Sequence, residues 1–264
     1  IPAHHGEESG RRMRGVQKLA WVEVKLFIRE PIALVFAFAF PFFMLFVLAG
    51  VFGNDVDPAD EENLRVWRGV GPSDYYVSTY VGLVMASAGL VTLPLRLAAY
   101  SDAGVLRRYR AAGVSVPVVL GAQVLVSLGM SVLAAAGIIV SSTLVYGTAL
   151  PESWPLVIAG IGLGLLTFSC IGVLLGAILP SARAVQGAGL TLFFVMMMIS
   201  GSGPPLEVLT SAMRAVSNAM PLTHLNLVVQ DAWLGFGWSW AESLITLAFG
   251  AASGILAVRF FRWE

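Results

Sequence analysis

The residues best placed to do chemistry lie in one polar interruption, residues 101–115, which read SDAGVLRRYRAAGVS. Ser101 or Asp102 offers a side-chain oxygen to the first free N–H groups of a helix, and Gly113 suits its other end. Between these caps Val105, Tyr109 and Ala112 recur three and four residues apart, on one face. Arg107, Arg108 and Arg110 fill the remaining positions, two of them in the last turn, where the helix dipole favours cations. Such a helix carries an apolar stripe and a basic rim, held just outside a membrane. A positively charged loop that only fixes topology carries the same charges, and both readings stand at this point.

Other reactive patterns fail. The two lysines, Lys18 and Lys25, do not follow glycine, so the sequence holds no phosphate-binding loop. His4, His5 and His224 have no metal-ligand spacing, and no Ser/His/Asp or His/Glu spacing points to hydrolysis. Cys170 stands alone in an apolar segment, so no intrachain disulfide is expected. The spans carry no chain of buried carboxylates of the kind a proton-driven carrier uses. Asp231 and Glu242 are expected at a membrane boundary in solvated roles, and Gln123 is expected to pack against another helix or to line a pathway.

The elements that must position the basic stretch are apolar. Hydrophobic residues make up 57% of the 264, charged residues 12%, and mean hydropathy is +0.81, all beyond a soluble domain. The chain therefore reads as an all-α polytopic membrane protein. Residues 1–30 form a polar tail and an amphipathic basic helix (residues 11–30) lying along the inner membrane surface, with no cleavable signal pattern. Residues 31–264 form the membrane domain. Spans are expected at about 32–52, 75–95, 117–146, 156–179, 185–200 and 238–260. Pro31 opens the first span and Pro41 should kink it. Tyr75, Tyr76 and Tyr80 resemble an interfacial aromatic belt. The fifth span is short and stops at Ser200-Gly201-Ser202-Gly203-Pro204-Pro205. Residues 201–234 then fit a re-entrant helical hairpin, each half too short to cross. Gly160 and Gly164, Gly172 and Gly176, and Gly250 and Gly254 form small-xxx-small pairs for helix contacts.

Six spans with the N-terminus inside place 13 of the 16 Lys and Arg residues on the inner side and leave Arg65, Arg68 and Arg214 outside. The positive-inside rule thus expects both termini in the cytoplasm, the chain being a multi-pass protein of the plasma (inner) membrane.

Several stretches together resemble a known family. These are the basic amphipathic helix, the Arg29-Glu30-Pro31 step, GVLRRYRAAGVSVPVVLGAQ (residues 104–123), the broken segment after the fifth span, and NAMPLTHLNLVVQDAWLG (residues 218–235) with its Met220-Pro221-Leu222-Thr223 step. Nearly the whole chain is similar to ABC-2 type permeases, most of all to bacterial drug-efflux permeases of the daunorubicin/doxorubicin resistance type. Ala99-Tyr100-Ser101-Asp102 and Gly113 depart from that family's pattern, which often has a glutamate-rich loop start and a proline there.

The resemblance implies a permease subunit with no ATP site of its own, exporting amphiphilic drugs or lipid-like compounds. ATP and Mg would bind a separate ATP-binding subunit, present in two copies. A second permease chain, identical or different, membrane lipid and a small amphiphilic substrate complete the implied partners, and no nucleic acid is expected. Asp102, Val105, Leu106, Arg107, Arg108, Tyr109, Arg110 and Gly113 would couple to the ATPase. Phe42, Phe43, Gln123, Phe193, Phe194, Met197 and His224 are pathway candidates, although several suit plain packing equally. A lipid-linked or polysaccharide cargo, or a channel or scaffold without an ATPase, remains the alternative.

Overall fold

The computed structural model describes residue 25, residues 29–102 and residues 116–260. The first span begins as α1 (Pro31–Leu34), widens through a π-helical turn (Val35–Ala39) and continues as α2 (Phe40–Phe52). A loop holding the short α3 (Glu61–Val66), N-capped by the Asp60 carboxylate on Asn63 N–H at 2.9 Å, leads to the second span. That span comprises α4 (Pro72–Ser87), a second π-helical turn (Ala88–Thr92) and α5 (Leu93–Asp102). The third, fourth and fifth spans are α6 (Val116–Tyr146), α7 (Trp154–Ile178) and α8 (Ala182–Ile199). A 3₁₀ turn (Leu206–Val208), α9 (Ser211–Ser217) and α10 (Pro221–Trp233) precede the sixth span, α11 (Trp240–Phe260). Among the described residues there is no strand, and six helical stretches are long and apolar enough to cross a membrane. The molecule is an all-α polytopic membrane protein.

Two prolines explain the two π-helical turns. In the first span the Phe40 N–H reaches back five residues to the Val35 carbonyl. The Phe36 carbonyl thereby loses its α-helical donor, and five residues on it meets Pro41, which has no N–H. The second span repeats the arrangement. Leu93 N–H bonds the Ala88 carbonyl, and the Gly89 carbonyl is left facing Pro94. In each case the wider turn relieves the clash between the proline ring and the carbonyl four residues back. The kink expected from Pro41 thus takes the form of a π turn, and Pro94 produces the same distortion in its neighbour.

Orphaned carbonyls at membrane depth must find partners. Ser87 Oγ donates to the Phe36 carbonyl at 2.5 Å. At the second turn, glycines come in. A Cβ on Gly172 would lie 2.3 Å from the Gly89 oxygen, and one on Gly189 would lie 2.0 Å from the Leu90 oxygen. Only glycine lets α7 and α8 approach so closely, offering Cα–H groups to these oxygens.

The second span is the hub. Its most apolar window is 94% buried, against 22–39% for the other five. α2, α6, α7, α8 and α10 all pack on it, while α11 lies outside, against α7 and α10. The remaining expected glycine pairs sit at these contacts. Gly160 and Gly164 meet Val229 and Leu225 of α10, Gly176 meets Leu97, and Gly250 meets Thr167 of α7. Thr167 Oγ1 also donates to the Thr246 carbonyl at 3.1 Å, tying the fourth span to the sixth.

The tyrosines at the start of the second span do not form a lipid-facing belt. Tyr75, Tyr76 and Tyr80 are all buried, packed edge-on with one another and with Trp67 of the preceding loop, which covers them. The central position of the second span leaves no membrane interface for their rings to face.

Candidate transport path and coupling region

The break after α8 is built from polar groups that α10 holds in place. α8 ends at Ile199, and Gly201 takes a φ of +82°, which favours glycine. Asn226 of α10 donates from Nδ2 to the Ser200 carbonyl at 2.7 Å and to Ser202 Oγ at 2.9 Å. Thr223, one turn earlier, bonds Ser200 Oγ at 2.9 Å and the Ser217 carbonyl at 2.7 Å. Tyr76 OH donates to the Gly203 carbonyl at 3.0 Å. These residues are buried, so the hydrogen bonds form where water cannot compete. Gly82 faces this network: a Cβ there would lie 2.2 Å from Asn226 Oδ1.

Beside the break lies an apolar groove of about 450 Å³. Met44, Leu48 and Phe52, at successive turns of α2, form one wall. Trp67, Tyr76, Met198, Pro204, Pro205 and Val208 supply most of the rest. Next in sequence to Val208, Glu207 pairs with Arg214, which also donates to the Leu206 carbonyl at 2.6 Å. The volume falls within the ordinary range for small-molecule sites, and the two methionines give the walls an adaptable surface.

The loop before the second span is pinned to the far end of α10. Arg68, at φ +58°, pairs with Asp231 at 2.5 Å, donates to Gln230 Oε1 at 2.9 Å and stacks its guanidinium 5.3 Å from the Phe236 ring centroid. His224 pairs through Nδ1 with Glu242 of α11, bonds the Asn218 carbonyl through Nε2 at 2.9 Å and stacks on Phe249. Asp231 is therefore an ion-pair partner and Glu242 a partner of the His224 ring, and both contacts join elements. The expectation of solvated roles came from reading them without Arg68 and His224, which lie far away or on another helix.

The seven pathway candidates fall into separate environments. Phe193 and Phe194 form an edge-to-face quartet with Phe36 and Phe40, joining the fifth span to the π turn of the first. Phe193 and Met197 are buried, whereas Phe194 and Phe43 are exposed. Phe42 turns toward α6, where Gly137 leaves room for its ring tip. Gln123 is buried on α6, and His224 is held in the pair just described. None of the seven lines the groove.

Of the coupling candidates, Asp102 is the last residue of α5. Val105, Leu106, Arg107, Arg108, Tyr109, Arg110 and Gly113 lie outside the described residues, as does most of the expected interface helix. The structure instead brings forward a pair on the helix that ends at Asp102. Arg96 of α5, with a fully buried side chain, lies 3.5 Å from Glu30, the residue before Pro31. An arginine at the fourth residue of α5, within an otherwise apolar stretch, was the available signal, because a buried charge requires a partner. The groove had no comparable signal, since its walls come from four distant segments.

No curated protein matches the sequence significantly. The family model described as ABC-2 type transporter matches residues 14–234, well over half of the chain, and takes in the first five spans, the polar break and α10. On that match and on six helices able to span a membrane, the chain belongs to the ABC-2 type transporter family and is a multi-pass permease component of an ABC transporter.

Proposed function

We propose that this permease exports amphiphilic drugs or lipid-like compounds, as one of two paired permease chains driven by two copies of a separate ATP-binding subunit. The groove carries the reading. An apolar cleft between α2 and the polar break suits a molecule with a large apolar body. A hydrophilic glycan would find few hydrogen-bonding groups on these walls. With both termini cytoplasmic, as the charge distribution favours, the groove lies at the outer end of the path and the 101–115 stretch faces the ATPase. Val105, Tyr109 and Ala112 then enter a groove of that subunit, with burial of Val105 contributing about 1.5 kcal/mol.

The test is reconstitution with the cognate ATP-binding subunit in proteoliposomes, measuring ATP-dependent export of a fluorescent lipid analogue and of a soluble oligosaccharide. Export of the lipid analogue alone, reduced by Leu48→Asp in the groove wall, is the expected result. Export of the oligosaccharide, or lipid export indifferent to Leu48→Asp, overturns the cargo assignment. Val105→Asp should release the ATP-binding subunit in a pull-down at equal membrane abundance, because it buries an unpaired charge. Wild-type retention of that subunit removes the docking role.

A further inference from the structure

We propose that the seam between the second and third spans holds ordered water on Gln123, Ser127 and Thr92. Gln123 and Ser127 are one turn apart on α6 and share a face. They are 0% and 3% exposed, yet among the described residues both amide atoms of Gln123 and the Ser127 hydroxyl have no hydrogen-bond partner. Thr92, at the end of the second π turn, is 1% exposed, and its hydroxyl also has no partner among the described residues. Four unpartnered polar atoms at membrane depth, if dry, would be a large penalty, and side chains of this kind are normally satisfied by protein or by water.

The register places them together. α6 packs on both the second π turn and α5. Ser87 is level with Phe36 through its hydrogen bond, and Gly137 is level with Phe42 through the ring contact. Phe36 and Phe42 are six residues apart, so Ser87 stands level with about residue 131 of α6, which runs antiparallel. Five residues further along the second span, Thr92 stands level with about residue 126, beside Ser127. Arg96 likewise falls level with Gln123.

The chemistry selects the occupant. Gln123 presents a donor and an acceptor, and the two hydroxyls serve as either. A cation cannot accept from the amide N–H and would stand at the level of the Arg96 guanidinium. A simple anion cannot donate to Oε1. Water does both and needs two to four polar partners, which this site supplies. Water also gives the two helices that flank residues 103–115 exchangeable hydrogen bonds where direct side-chain bonds would lock one register.

The test is a cryo-EM map of the permease with its ATP-binding subunit in lipid nanodiscs, at a resolution that shows ordered water elsewhere in the complex. Density for water within hydrogen-bond distance of the Gln123 amide and of Ser127 or Thr92 is expected, with loss of that density in Gln123→Leu. A dry seam, with the Gln123 amide bonded directly to protein, overturns the proposal. A thermal-shift arm reads the same point independently: if dry orphans occupy the seam, Gln123→Leu raises the melting temperature, whereas removing a water-bonded amide lowers it.

Discussion

Ser87 caps a carbonyl that Pro41 has orphaned: its hydroxyl lies 2.5 Å from the Phe36 oxygen, across the interface between the first two spans. Ser87→Ala should therefore cost about 1–3 kcal/mol, the penalty for an unsatisfied buried acceptor. Pro41→Ala restores an N–H that can serve the Phe36 carbonyl within its own helix. In that background Ser87→Ala should cost much less. A double-mutant cycle on thermal stability in detergent measures the coupling, and additive effects would separate the proline from the serine.

Glycines divide into two groups by what a Cβ would meet. Gly172→Ala and Gly189→Ala drive a methyl group into the carbonyls of Gly89 and Leu90, so each should lose about 1–3 kcal/mol and loosen the second span from α7 or α8. Gly162 and Gly187 lie on the same two helices, and among the described residues nothing stands within 4 Å of a Cβ there. Alanine there should be neutral or stabilise by up to about 1 kcal/mol, from helix propensity alone. Equal losses at all four positions would show that backbone freedom, not close approach, is what these glycines supply.

These relationships also show which parts of the fold were legible in the residues. Six apolar segments, the stop at Ser200–Pro205 and the glycine pairs follow from hydropathy and spacing, and they locate the spans and their contacts. The hub role of the second span does not follow. Its polar residues, Tyr75, Ser78, Thr79 and Thr92, resemble those of a lipid-boundary helix until neighbouring helices cover every side. At the site, the break was visible because glycine and proline punctuate it locally. The Arg68–Asp231 and His224–Glu242 pairs were not, because pairing depends on which helices meet. The groove needs four segments folded together before it exists.

Arg68 combines a strained backbone with three favourable contacts, and two substitutions separate them. Arg68→Ala loses the Asp231 pair, the Gln230 bond and the Phe236 stack, yet keeps a Cβ at φ +58°. Arg68→Gly loses the same contacts but relieves the left-handed backbone, worth about 1 kcal/mol. Both should loosen the loop that carries Trp67 against Tyr75, with Ala the more damaging. Thermal stability together with protease sensitivity of the loop at residues 54–70 checks this, and equal losses would mean that the backbone there carries no strain.

The last prediction concerns Glu30 and Arg96, which join the start of the first span to the helix that leads into residues 103–115. A charge buried as fully as Arg96 is tolerable only while its partners hold it, so losing one partner costs more than replacing the pair. Glu30→Gln leaves the guanidinium buried without that carboxylate and should destabilise by about 2 kcal/mol, Glu30 itself being partly exposed. Adding Arg96→Met removes the charge, keeps an unbranched side chain in the space and should recover much of the loss in stability. Coupling should not recover, because the double variant has lost the Glu30–Arg96 link between the first span and α5. Melting temperature and ATP-dependent export, measured for the single and double variants at equal abundance, separate the two effects. Recovery of both together would make the pair a packing element, while recovered stability with export still impaired assigns it to transmission between the first span and the coupling stretch.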